Sequence, residues 1–199
     1  ASGPSARKAM HKLADVLSSN LEELHRLTGI INDMLFLSQA DRGATARRSF
    51  VPSLAAVVER VVEYHEAALA DADLRLKVAG DSTGHFDEPL LRRAVSNLIS
   101  NATQYAKPGT EVEVSIAAVS DKEVSLVVAN QGETVSPEIL ARMFDRFFRA
   151  SASREHGQKN HGLGLAITSA IARMHGGRTT AASVNGTTEI GLVVMKTVA

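Results

Sequence analysis

The sequence predicts an α+β fold: a two-layer α/β sandwich, in which three longer helices cover one face of a mixed sheet, preceded by one long bundle-type helix. Three observations predict it. Leu91, Ala94, Val95, Leu98, Ile99 and Ala102 fall at i, i+3, i+4 spacing and form one apolar helical stripe. Segments 111–119 with 123–130, and 178–184 with 187–195, alternate apolar and polar residues on either side of short turns, as hairpins do. Residues 6–39 carry a helical periodicity long enough for one long helix. At 199 residues the chain has room for one such domain and an appendage.

Taken in order, residues 1–5 (ASGPS) read as a flexible start. The first helix runs from about Ala6 to Gln39, with Leu13, Leu17, Leu24, Leu27, Ile31 and Met34 on a three/four-spaced seam interrupted by Asn20. Leu21, Ile30, Leu35 and Leu37 widen that stripe, which suits a four-helix bundle better than a two-stranded coil. One such helix cannot bury the stripe alone; it needs a partner helix, another chain, or both. Gly43 is placed to cap it, and residues 41–49 form a hinge, dividing the chain into 1–43 and 44–199.

Ser49–Val51 suits a short strand, and Pro52 and Ser53 then open a helix to about Ala70 with Leu54, Val57, Val58, Val61 and Val62 inward. Residues 74–80 alternate as a strand, and 80–84 turn. Asp87 caps the central helix, Glu88 and Pro89 occupy its first turn, and Pro108-Gly109 breaks the chain after it. Ser136–Met143 is a short helix leading into FDRFF (144–148). Residues 149–160 have no period and read as a mobile loop. A helix from Gly164 to His175 is closed by Gly176-Gly177, and Asn185-Gly186 is a strong hairpin signal between the last two strands.

Composition excludes several classes. Lys+Arg and Asp+Glu both number 22, so no net field favours nucleic acid or anionic lipid. No window of 18 apolar residues exists, so the chain as given reads as not membrane-inserted. The absence of cysteine rules out a disulfide scaffold and thiolate-bound zinc. The seven histidines are scattered and form no H-x-x-x-H pair.

The candidate chemistry lies on the central helix. Asn97 and Asn101 sit one turn apart, off the apolar stripe, so both amides reach one volume of space. Interior helical asparagine is mildly disfavoured, so the pair is either functional or simply two solvated or capping amides. VVANQGETV (127–135), FDRFF (144–148) and HGLGLAI (161–167) follow. With NLISNATQY (97–105) these segments resemble, in order, the N box, first glycine box, F box and second glycine box of sensor histidine kinases. That family belongs to a wider ATP-binding group with gyrase, the Hsp90 chaperones and MutL. The N-x-G form of the first glycine box and the helix SNLEELHRLTGIINDMLFLSQAD resemble the heavy-metal-responsive subgroup.

The resemblance implies ATP and Mg²⁺ as cofactors. Asn101 would give its oxygen to Mg²⁺, and Asn97 would contact phosphates or the metal's water shell. Tyr105 would lie against the nucleotide, unless it is a core aromatic. Asn130 would read adenine where an aspartate is usual, accepting from the exocyclic amine and donating to a ring nitrogen or a water. Gly132 would let backbone approach the base. Gly162, Leu163, Gly164 and Leu165 would open a helix whose bare N–H groups face the phosphates. Phe144, Phe147 and Phe148 would anchor the loop in an apolar slot or serve as plain core.

Four positions depart from the pattern: Asn130, Thr134 at the second glycine, Gln104 before the tyrosine, and Asn160 at a leading glycine. With the Gln104 cation missing, Arg149, Arg154 or Lys159 would neutralise phosphate. Asn97 stands where hydrolytic relatives place a glutamate base, and an amide is no base near neutral pH. This favours phosphoryl transfer to a protein nucleophile over ATP hydrolysis. His11 and His25 lack the H-E/D-x-x-x-P setting of a phosphoacceptor, so the sequence reads as a piece starting after its own acceptor. The resemblance implies an inner-membrane sensor's cytoplasmic part, a homodimer through its four-helix bundle, and a response regulator as partner. A nucleotide-binding regulatory module without kinase activity and an anti-sigma-factor serine kinase are the alternatives.

Overall fold

A computed structural model describes residues 4–149 and 161–196, with side chains from His11 onward. The long helix α1 (Pro4–Asp41) leads, through a hinge, to β1 (Ser49–Val51) and α2 (Leu54–Asp71). Then come β2 (Arg75–Ala79), β3 (Gly84–Phe86), α3 (Glu88–Tyr105), and the hairpin β4 (Glu111–Ala118) and β5 (Glu123–Gln131). The short α4 (Pro137–Arg142), α5 (Gly164–Met174), β6 (Arg178–Val184) and β7 (Thr187–Met195) complete the chain.

The main sheet has the order β2-β4-β5-β7-β6. Only β2 and β4 run parallel; the other pairings are antiparallel, so the sheet is mixed as expected. Period-two alternation puts Val112, Val114, Ile116, Val124, Leu126 and Val128 on the buried face. Register lines them into apolar rows, Val114–Val128–Ile190 and Ile116–Leu126–Leu192, against which the helices pack. All six residues of the α3 stripe are buried, and α3 lies between α2 and α5. Asp87 caps it through Oδ1, which accepts from the Leu90 N–H at 3.2 Å. Asn185 and Gly186 both take positive φ, 51° and 79°, as the tight β6–β7 turn requires.

Two expectations need correction. The stretch read as a turn ends in a strand: β3 pairs antiparallel with β1, Ser49 opposite Phe86. Three residues are too few to show a period, and their pairing partner is 37 positions away. The second concerns the width of the bundle stripe. Leu37 is buried, and Ile30, Phe36 and Ala40 pack on the same core. These residues dock the end of α1 on the domain, and the seam residues Leu13 to Met34 stay exposed. Arg93 strengthens the dock, pairing with Asp33 at 2.5 Å and lying 4.3 Å above the Phe36 ring. Arg146 pairs with Asp41 at 2.6 Å. Among the described residues, no helix is long and apolar enough to cross a membrane.

Candidate functional site

A cavity of about 510 Å³ opens between α3, α5 and the β5–β7 end of the sheet. That is the size range of small-molecule sites. Asn97, Ser100, Asn101, Gln104 and Tyr105 line it from α3, Asn130 from β5, and Thr188 and Ile190 from β7. Gly162, Gly164 and Leu165 close it at the head of α5; Ile139, Met143, Phe148 and Arg149 wall the remaining side. The four boxes, spread over residues 97–167 of the sequence, thus meet at one concave surface.

The two α3 asparagines have different surroundings. Asn97 Nδ2 donates to the Gly164 carbonyl at 3.0 Å, bracing α3 against the first residue of α5. Thr168 Oγ1 donates to that same carbonyl at 3.1 Å. Asn101 lies one turn further along the cavity wall. Tyr105 is 46% exposed at the rim, which excludes a core role.

Asn130 is 5% exposed on the cavity floor, beside Thr188, its register partner and equally buried. The close approach that Gly132 permits is to protein: a Cβ there would sit 2.5 Å from the Tyr105 carbonyl. Thr134, where a glycine was expected, accepts from the Gly186 N–H at 3.1 Å. Gly132 donates to the Gly186 carbonyl at 2.7 Å, and Val135 N–H to Ser183 Oγ at 2.9 Å. The loop after β5 is therefore clasped to the β6–β7 hairpin, and the threonine has a structural post there.

Leu163 precedes α5 without supplying a side-chain cap, so the helix's first N–H groups have no side-chain acceptor from that position. This is the arrangement an anion fits. Leu163 itself is buried, so only its backbone can serve a ligand. Gly162 has φ +71°, and a Cβ would meet the Phe148 carbonyl at 2.7 Å, so no other residue fits. Phe147 N–H donates to the Gly162 carbonyl at 2.9 Å, joining the two ends of the intervening loop. The three phenylalanines divide: Phe144 packs on the core, Phe147 is 55% exposed, and Phe148 lines the cavity beneath Arg142.

Arg149 stands at the cavity; Arg154 and Lys159 lie outside the described residues, as does Asn160. Sequence reasoning missed Thr188, Ser100, Glu133 and the apolar wall of Val135, Ile139, Met143 and Ile190. Ser100 was detectable from its place on the α3 face one turn from Asn97. The others carry no local signal. Among the described residues no cluster of three His, Cys, Asp or Glu could hold a metal. A cation here would be held by amide or carboxylate oxygen, ligand phosphates and water, an all-oxygen set that suits Mg²⁺.

Residues 86–197 match the family described as histidine kinase-, DNA gyrase B- and HSP90-like ATPase. The chain is 41% identical over 174 residues to the sensor histidine kinase CusS of Escherichia coli O157:H7, covering 87% of this chain and 36% of that protein. It thus spans about a third of the length of the curated relatives it matches. Among solved structures, the Acinetobacter baumannii histidine kinase AdeS superposes with a TM-score of 0.76 at 20% identity, over 92% of this chain and 84% of that one. Full-length ShkA in complex with AMPPNP gives 0.78 at 23% identity, over 94% and 39% respectively.

Proposed function

The chain belongs to the histidine kinase-, DNA gyrase B- and HSP90-like ATPase family, and on that premise we propose that it is the ATP-binding catalytic domain of a sensor histidine kinase. The observation that carries this reading is the single cavity that collects Asn97, Asn101, Asn130, Gly162 and Gly164. In it, Asn130 accepts from the exocyclic amine of adenine, and Tyr105 lies along the nucleotide at the rim. The α5 N–H groups and Arg149 face the phosphates. Asn101 would give one ligand oxygen to Mg²⁺, which when bound would neutralise phosphate charge. Asn97 holds the head of α5 at the distance the phosphates require, and as an amide leaves water unactivated.

The γ-phosphoryl group then passes to a histidine imidazole nitrogen on a preceding helix of the dimerisation bundle, the β–γ anhydride bond breaking and ADP leaving, for relay to a response-regulator aspartate. Positioning and charge neutralisation do most of this work. We assign residues 1–43 to the second bundle helix and 44–199 to the catalytic domain. The exposed Leu13–Met34 seam is the homodimer surface. The whole protein is read as an inner-membrane sensor of the heavy-metal-responsive subgroup, with this part in the cytoplasm; similarity to CusS and CopS supports that placement.

Calorimetric titration of ATP and ADP with and without Mg²⁺ tests the reading. Mg²⁺-dependent binding by the wild type, and its loss in Asn101→Ala with an unchanged melting curve, are the expected results. A wild type that binds neither nucleotide sinks the proposal. Transfer of label from γ-labelled ATP to a separately supplied acceptor-helix domain separates a kinase from a regulatory nucleotide-binding module.

A further inference from the structure

The cavity takes up only the head of α5. The other end of that helix meets the hinge, and there a fully buried histidine is matched on both ring nitrogens. His175 Nδ1 lies 2.9 Å from the Ile171 carbonyl, so it carries the proton; Nε2 lies 3.2 Å from the Asp87 N–H, so it presents its lone pair. The carboxylate of Asp87 serves two masters: Oδ1 caps α3 at the Leu90 N–H, and Oδ2 accepts from the Arg47 N–H of the hinge at 2.7 Å. The hinge is held on its other side as well. Ala46 N–H donates to the Met174 carbonyl at 3.1 Å, and Arg48 Nη2 to the His175 carbonyl at 2.9 Å. The same carbonyl takes the Met195 N–H at the end of β7.

We infer that His175 is a positioning residue: acting through Asp87, it holds the hinge segment 44–48 against the head of α3 and so sets the direction in which α1 leaves the nucleotide-binding unit. A side chain that only filled space would need no heteroatom there. Here each ring nitrogen meets its complement, and one complement is the backbone of the residue whose carboxylate carries the hinge. Only the neutral Nδ1–H tautomer satisfies both contacts. A second proton would set an N–H on Nε2 against the Asp87 N–H. The charged groups facing the ring are Arg48 from the hinge and Asp87 from the head of α3. Burial and Arg48 oppose the imidazolium, while the Ile171 carbonyl and Asp87 favour it; burial is the largest influence, and the proton affinity falls below the ordinary value. The device therefore holds at neutral pH and releases in acid. It concerns the hinge and stands apart from what the cavity binds.

Amide hydrogen exchange of Ala46 and Arg47, referred to the amides of β4, tests it. His175→Leu should speed exchange at Arg47 roughly tenfold or more while β4 stays protected. His175→Gln returns an acceptor oxygen near the Nε2 position and should restore protection to within about threefold of wild type. In the wild type, acidification should loosen the hinge amides ahead of β4 once intrinsic exchange rates are divided out. ATP affinity of the leucine variant, measured alongside, should match the wild type; loss of binding in the wild type itself would count against the cavity and not the hinge. A folded leucine variant with unchanged hinge protection overturns the inference, as does a glutamine variant no better than leucine. Should the leucine variant not fold, the acid series decides, and hinge amides that exchange in step with β4 overturn it.

Discussion

On the function proposed above, Asn130 is the side chain that reads the base. Its position on the cavity floor, with little water to compete, makes its oxygen worth most to an adenine amine. Asn130→Leu should weaken ATP by about 1–3 kcal/mol and erode the preference over GTP, because guanine carries an oxygen where adenine has the amine. Asn130→Asp should keep or improve ATP binding through a charge-assisted bond. Parallel titrations of both nucleotides check this; a leucine variant that still prefers ATP would show that the base is read elsewhere. His65 and His175 make a second prediction at this scale. Burial holds both below the ordinary imidazole value near 6.5. As pH falls, the unfolded chain takes up these protons before the native one does. The stability due to neutral His65 and His175 is thus whole above about 6.5 and drains toward their lowered native values. The carboxylates with shifted values lie at or below 4.5 before any shift and are lowered further, so they titrate later. Denaturant midpoints should drop between pH 7.5 and 5.5, and a flat profile would contradict the assignment.

The elements differ in what holds them. α3 is buried on one whole face, and Leu98 within it is 1% exposed between sheet and neighbouring helices. Leu98→Ala should cost about 2–5 kcal/mol, the lost transfer energy plus a cavity that close packing cannot collapse. Urea unfolding gives the value; a cost under about 1 kcal/mol would mean that the site relaxes far more than its burial implies. The β6–β7 hairpin is set by local chemistry, since Asn185-Gly186 can take two successive positive φ angles where most pairs cannot. The β1–β3 ladder has no such local cause. Its three-residue strands exist because α2 and β2 bring distant segments together, which is why Gly84 read only as the end of a turn and 85–86 as no element.

At the scale of the molecule, α1 is two things in one helix. Its last turns are docked by Leu37, Phe36–Arg93 and Asp41–Arg146, while the seam before them lies open. A chain shortened to residues 29–199 should keep nucleotide affinity within about twofold, because none of the described residues removed belongs to the core. It should also lose any concentration-dependent association seen by sedimentation in the intact chain. Loss of nucleotide binding on shortening would show that the seam supports the cavity after all.

The sequence by itself determined the fold class, the bounds of most helices and strands, and that Asn97, Asn101, Asn130, Gly162 and Gly164 belong together, while for the loop cation it left Arg149, Arg154 and Lys159 as alternatives. Those depend on periodicity, on backbone angles that few residues accept, and on motifs whose residues lie within a turn or two of each other. Tertiary structure alone decided how these pieces are fastened. The Asn97–Gly164 brace spans 67 residues, the Thr134–Gly186 clasp 52, and the Asp87–His175 contact 88. So does the place of Thr188, which reaches the cavity only because register sets it beside Asn130. A hydrogen bond across such separations depends on strand order, register and the angle between helices. No local pattern of residues encodes those, since each arises only when the whole sheet and its helical layer close on a shared core.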